Sequence, residues 1–223
     1  MTLANRIIML SKFFLLATYG IQLAQIFLFR VPSAGSTFEM LSKVRKSGGQ
    51  SRHHPAGQIL ESRLKVAMMI TATVLVVLVF FLPLLAECFP DFADYFGLLT
   101  PKPRAGLRLA SIFLFFVGNL VSVIAVGTLK KRVTFHAFGE TRTLYTGGIY
   151  RFVRNPISVG SAAIYAGFFF YLPSVAMGVG VALFMLNSEL RIRMEETYLE
   201  RTFGDRYRNY RKTTPKYFPK IHA

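Results

Sequence analysis

From Leu109 to Leu129 the chain reads LASIFLFFVGNLVSVIAVGTL, 21 residues without a charge. As a helix this stretch is about 31 Å long, enough to cross the hydrocarbon of a bilayer. Two more blocks are of the same kind. Val66–Ala86 carries no charge, and Ile7–Phe29 is interrupted only by Lys12, Gln22 and Gln25. With 52% hydrophobic residues and a mean hydropathy of +0.41, a chain of 223 residues has more apolar surface than a water-soluble domain of that size usually hides. The fold class expected is therefore all-α and polytopic in a membrane.

A fourth apolar block, Ile157–Asn187, is too long for one ordinary span and is divided by Pro173 and Ser174. The spacing predicts a helical hairpin with its turn near Tyr171–Ser174, and hence five spans in all; one long kinked helix is the competing reading. Charge placement favours five. Seven Lys/Arg lie in Arg30–Lys65, six in Lys130–Arg154 and nine after Asn187, while Lys102, Arg104 and Arg108 in the remaining loop are offset by Glu87, Asp91 and Asp94. The positive-inside rule then puts the N-terminus outside and the C-terminus in the cytoplasm. A cleaved signal peptide ending near Pro32-Ser33-Ala34 is the weaker reading of the first block, which is longer than a usual signal core.

The net charge of +16 would suit a nucleic-acid binder. Here the cations flank spans, so topology and anionic lipid headgroups account for them, and no nucleic-acid partner is expected. Cys88 is the single cysteine, so no intrachain disulfide can form. His53, His54, His136 and His222 have no metal-ligand spacing, and no metal is expected. His53-His54 reads as part of a flexible, solvated loop. The absence of an internal repeat argues against an inverted-repeat transporter.

Residues 1–127 read as three membrane helices with loops, the first two as generic anchors with little polar detail. Residues 128–223 read as the working region. Thr128–Gly148 lacks a strong period and is expected to be an irregular cytoplasmic segment with at most one short helix. Gly147-Gly148 allows tight backbone geometry, and Pro156 suits the first turn of a helix starting after Asn155. Amides at that helix start, with Arg151 and Arg154, suit an anionic or polar ligand, although the arginines could equally serve topology alone. Arg154 is thereby a candidate substrate-binding residue. In the tail, a helix is expected up to about Thr202, broken at Phe203-Gly204, with Asp205 capping a second short helix. Arg191 and Glu195 share one face of the first, continued by Tyr198. They are either a solvated surface pair or, so close to a span, part of a site.

Thr146, Gly148, Tyr150, Arg154, Asn155, Pro156 and Gly160 stand in order before the hairpin. Arg191, Glu195, Glu196, Leu199, Phe203, Gly204, Tyr207 and Tyr210 follow it. This pattern, over about residues 140–215, resembles the isoprenylcysteine carboxyl methyltransferases and the related phospholipid N-methyltransferases. The resemblance implies S-adenosyl-L-methionine as cofactor, bound in a pocket capped by the connecting loop and the C-terminal helices. It implies cofactor contacts from Arg142, Thr143, Leu144, Tyr145, Tyr150, Asn155, Pro156, Ile157, Ser158 and Glu195, with Arg191 as the catalytic residue directed at the acceptor. The expected reaction is methyl transfer to a lipidic or isoprenoid acceptor at the cytoplasmic face, carboxyl methylation first.

Three positions depart from the family pattern. Asn155 and Arg142 stand where histidine is common, and Ser158 replaces a tyrosine, so carboxylate, amine and thiol acceptors all stay open. Two other functions compete: an NADPH-dependent sterol-type reductase, whose tryptophans and His-Pro-Asn-Tyr are missing here, and a non-catalytic lipid-binding membrane protein.

Overall fold

The computed structural model describes residues 2–29, 74, 77, 79–89, 91, 105–132 and 144–219. The His53-His54 loop, most of the outer loop (residues 92–104), and Arg142 and Thr143 lie outside them. The described residues form α1 (Leu3–Phe29), α2 (Val79–Cys88), α3 (Ala105–Arg132), a 3₁₀ turn (Gly148–Arg151), α4 (Pro156–Tyr171), α5 (Val175–Phe203) and α6 (Asp205–Thr213), with no strand among them. Three helices, α1, α3 and α5, are long and apolar enough to cross a membrane; α2 and α4 are shorter apolar helices. The chain is an all-α polytopic membrane protein. The block 157–187 is a hairpin of two helices, turned at Leu172-Pro173-Ser174, with the Ser174 side chain capping α5 by accepting from the Met177 amide at 3.2 Å.

Side-chain contacts fix the direction of each segment. Lys12 meets Glu87 and Tyr19 meets Phe80, so α1 and α2 are antiparallel. Gly118 meets Gly160, and Arg108 lies over the Tyr171 ring, so α3 and α4 are antiparallel. Tyr165 stacks on Phe184 at 4.2 Å and Phe169 approaches Gly178, so α4 and α5 are antiparallel too. α1 and α3 run parallel, joined by hydrogen bonds at a nearly constant sequence offset. Arg108 donates to Ser11 (3.3 Å), Gln22 to Asn119 (3.0 Å), Asn119 to Thr18 (2.9 Å) and Ser122 to Gln25 (3.0 Å).

That seam corrects one expectation. α1 is no generic anchor, because Ser11, Thr18, Gln22 and Gln25 within its apolar stretch are turned toward α3. On α3 the same inversion holds. Ser111, Asn119 and Ser122 are buried, whereas Leu109, Phe113, Phe116, Leu120 and Val123 form an exposed apolar stripe at helical period. Where the surrounding solvent is hydrocarbon, burying apolar surface contributes little, and hydrogen bonds and close packing hold helices together. Close packing is provided by Gly118 and Gly160. A Cβ on either would meet the other's carbonyl oxygen, at 2.7 and 2.8 Å. The aromatic core beside this contact includes Tyr19, Phe80, Phe115, Tyr165 and Phe168, with ring centroids of Phe80, Phe115 and Tyr19 each within 5.4 Å of Phe168.

The alternation gives the bundle two polar ends. Glu87, Lys12, Arg108 and Tyr171 meet at one. The 3₁₀ turn, the start of α4, the late turns of α5 and α6 gather at the other. α3 runs unbroken through residue 127, where the sequence reading divides the chain.

Candidate functional site

The turn before α4 is built by its two glycines. Gly148 has φ +57, a left-handed backbone, and a Cβ there would lie 3.0 Å from Thr128 Cγ2 at the end of α3. A Cβ on Gly147 would strike Tyr145 Oη at 2.8 Å. The chain therefore passes close against α3, and the 3₁₀ turn that follows swings Tyr150 inward, to 8% exposure. The Tyr145 ring meets Tyr150 edge-on at 6.0 Å.

Tyr150 is held by its backbone and left open at its hydroxyl. Its carbonyl accepts from the Tyr210 hydroxyl at 2.6 Å, so α6 fastens the turn. Its phenol oxygen is buried and has no hydrogen-bond partner among the described residues. Burial pushes the Tyr150 pKa up, and the neighbouring Tyr210, Glu195 and Tyr145 push it the same way. Tyr150 and Glu195, 45 positions apart in sequence, thus lie within reach of each other's field at one end of the bundle. Glu195 is half-exposed and pairs with Arg191 at 3.8 Å, a loose contact that leaves both groups able to take other partners. A buried phenol lacking a partner is uncommon in a folded protein, and it stands within the electrostatic reach of a loosely held carboxylate.

The helix start is as expected. Pro156 is the first residue of α4 and is buried, Ile157 and Ser158 follow half-buried, and Asn155 is the N-cap. Asn155 makes no side-chain cap; its amide instead makes a long contact to the Lys216 carbonyl at 3.5 Å. Arg154 is engaged inside the protein. Its guanidinium, nearly buried, lies 2.8 Å from Glu196 and donates to Tyr207 at 3.4 Å, and its backbone amide donates to the Pro215 carbonyl at 2.9 Å. Of the two acids at 195 and 196, Glu196 locks Arg154 in place, while Glu195 is held only by the looser contact with Arg191.

Residues 107–206 match the family model described as phospholipid methyltransferase. Over that stretch, a little under half of the chain, the sequence is similar to this family. No curated protein matches the sequence. The matched stretch begins inside α3 and ends in the first turn of α6, so it takes in Leu144, Tyr145, Tyr150, the α4 start, Arg191 and Glu195. The match favours a methyltransferase over the reductase and the non-catalytic lipid binder.

Around this site several residues have structural parts that no sequence signal assigned. Glu189 accepts from Lys216 Nζ at 2.7 Å, from Arg193 at 2.7 Å and, through a short bond, from the Tyr217 hydroxyl. The segment after α6 is thereby tied to α5, while Thr214 donates to the Arg151 carbonyl at 3.4 Å. Tyr207 and Tyr210 stand in the motif, but nothing in their spacing reveals that they reach Arg154 and the Tyr150 carbonyl. The expected cap at Asp205 is corrected. Gly204, with φ +53, is the N-cap of α6, and Asp205 sits in the first turn, bonded to Arg208 at 2.7 Å. A backbone bend that only glycine adopts readily ends α5 and starts α6 there, leaving Asp205 already inside the helix.

Beside this site lies an open cleft of about 590 Å³ between the Leu144–Arg151 segment and one face of α6. Of the expected site residues, only Leu144 lines it.

Proposed function

We propose that the chain transfers a methyl group from S-adenosyl-L-methionine to a lipidic or isoprenoid acceptor, at the end of the bundle that carries Tyr150 and Glu195. The observation that carries the reading is the buried, partnerless Tyr150 hydroxyl next to a carboxylate held only loosely, inside a methyltransferase-family match. The cofactor carries an ammonium and a carboxylate. Glu195 fits the first, and the Tyr150 hydroxyl offers a hydrogen bond; Tyr145, Leu144 and the first turn of α4 from Asn155 to Ser158 would complete the contacts, with Arg142 and Thr143 from the preceding segment. When bound, the cofactor supplies an electrophilic methyl on a sulfonium. The chain's own work is alignment and exclusion of water, done by the rigid 3₁₀ turn and the pinned α4 start.

Arg191 is the residue we assign to the acceptor. Its guanidinium is partly exposed and pairs with Glu195 at 3.8 Å, so it can turn to an incoming carboxylate without first breaking a strong bond. A carboxylate needs no general base to accept a methyl group, and carboxyl methylation is the reaction proposed. An amine is the second reading, favoured by the description of the matching family. The five alternating segments would each cross the bilayer, α4 tilting little because its 16 residues span only about 24 Å. The cation-rich termini of these segments put the site on the cytoplasmic face with the N-terminus outside. A lipid acceptor would enter sideways between helices.

Calorimetry of the purified protein with S-adenosylhomocysteine tests the reading. Glu195→Gln and Tyr150→Ala should each weaken binding by roughly tenfold or more, as expected for loss of a charge-assisted bond or a buried wall. Arg191→Ala should lower turnover more than affinity. Wild-type binding in all three variants, or none in the parent protein, would refute the site.

A further inference from the structure

The cleft next to Tyr150 has a chemistry of its own. Arg151 lines it from the 3₁₀ turn, and Arg206 and Asn209 line it from α6, with Thr146, Thr213 and Thr214 at its edge. No carboxylate among the described residues lines it. The charges nearby make this more than a by-product of a basic chain. Each acid from residue 144 to 219 is already engaged with another cation: Glu189 with Arg193 and Lys216, Glu195 with Arg191, Glu196 with Arg154, Glu200 with Arg208 and Arg211, and Asp205 with Arg208. Neither Arg151 nor Arg206 has an acidic partner among the described residues. Two guanidiniums from different elements therefore face a common space with no carboxylate among the described residues to balance them.

The hydroxyls sharpen the picture. Thr213 already donates to the Asn209 and Tyr210 carbonyls, Thr214 to the Arg151 carbonyl and Tyr210 to the Tyr150 carbonyl. The protons still available to a ligand are those of the two guanidiniums, the Asn209 amide and the Thr146 hydroxyl. Such a set fits a small, multiply charged oxyanion with several acceptor oxygens, which paired arginines recognise better than lysines do.

We infer that this cleft is a phosphate-binding site, separate from the Tyr150–Glu195 site, in which Arg151 and Arg206 grip a phosphate group together. The group could arrive as free phosphate or on the head of an anionic lipid. The site does not depend on the proposed methyl transfer. Because Tyr210 lines the cleft and also holds the Tyr150 carbonyl, occupancy on one side of the turn would be felt on the other.

The test uses the full chain in phosphatidylcholine nanodiscs. Inorganic phosphate is titrated in and followed by broadening of its phosphorus resonance. Saturable binding is expected, about tenfold weaker in Arg151→Ala and in Arg206→Ala, partly restored in Arg206→Lys, and unchanged in Arg201→Ala, an exposed arginine outside the cleft. A second arm adds phosphatidylglycerol to the nanodisc. Competition by the lipid that disappears in Arg206→Ala identifies a headgroup as the source, and unaltered phosphate binding identifies a soluble phosphate. Non-saturable broadening, or equal loss in Arg201→Ala, would overturn the inference by reducing it to net charge. Displacement of phosphate by saturating S-adenosylhomocysteine would overturn it differently, by making the cleft part of the cofactor's own site.

Discussion

The two polar ends of the bundle use the same residue types to opposite effect. At one end Glu87 is the hub. Lys12 reaches it at 2.6 Å, Tyr171 donates to it through a short bond, and Arg108 stands 4.0 Å away while lying over the Tyr171 ring. Four helices contribute and both cations converge on the one carboxylate, which ties α1, α2, α3 and α4 together, although Arg108 Nε keeps no partner among the described residues. At the other end, acids and arginines are more numerous, but the answer is incomplete. Glu189 and Glu196 are locked, Glu195 and Arg191 meet loosely, the Tyr150 hydroxyl is unsatisfied, and Arg151 and Arg206 face a cleft. Satisfied polar groups at a helix end stabilise a packing arrangement, whereas groups left short of partners mark where a ligand completes the set.

That contrast can be broken by mutation. The largest effect should come between the two ends, where α3 and α4 touch. Gly160→Leu would drive a side chain into the Gly118 carbonyl and the Ser122 backbone, and should cost about 3 kcal/mol or more, read as loss of folded protein in a detergent thermal-shift assay. Next comes Glu87→Ala, which strands Arg108 and Lys12. It should lower stability by roughly 2–3 kcal/mol while leaving the affinity for S-adenosylhomocysteine of the folded fraction unchanged. An equal loss of affinity would show that the two ends are not separable. The smallest is Tyr210→Phe, which removes one hydrogen bond to the Tyr150 carbonyl. About 1 kcal/mol is expected, and affinity should fall alongside thermal stability because the turn that carries Tyr150 is loosened. The Glu195→Gln variant completes the comparison from the other side, with weaker binding and an unchanged melting temperature.

Much of the architecture was legible before any coordinates. Uncharged blocks such as Leu109–Leu129 announce spans whatever packs against them, and Pro173-Ser174 announces a turn because proline cannot donate within a helix and serine caps the next one. Gly147-Gly148, Tyr150 and Glu195 could be singled out from their place in an ordered motif. The polar seam of α1 could not. Ser11, Thr18 and Gln25 look incidental in a greasy helix, and only the parallel neighbour α3 gives them partners. Nor could the strap from Thr214 to Tyr217, whose bonds to Glu189 and to the 3₁₀ turn span 27 to 63 residues and follow no local period.

Composition and order along the chain thus determined that this protein is helical, lives in a membrane and is similar to a methyltransferase family over residues 107–206, because hydrocarbon length, helix rise and backbone restrictions act locally and leave their mark on consecutive residues. Which arginine is spent and which is free was decided by the tertiary structure alone. Arg151, Arg154, Arg191 and Arg206 are alike as residues. They differ only in whether folding brings a carboxylate within a few ångströms, and that distance is set by helices far apart in sequence.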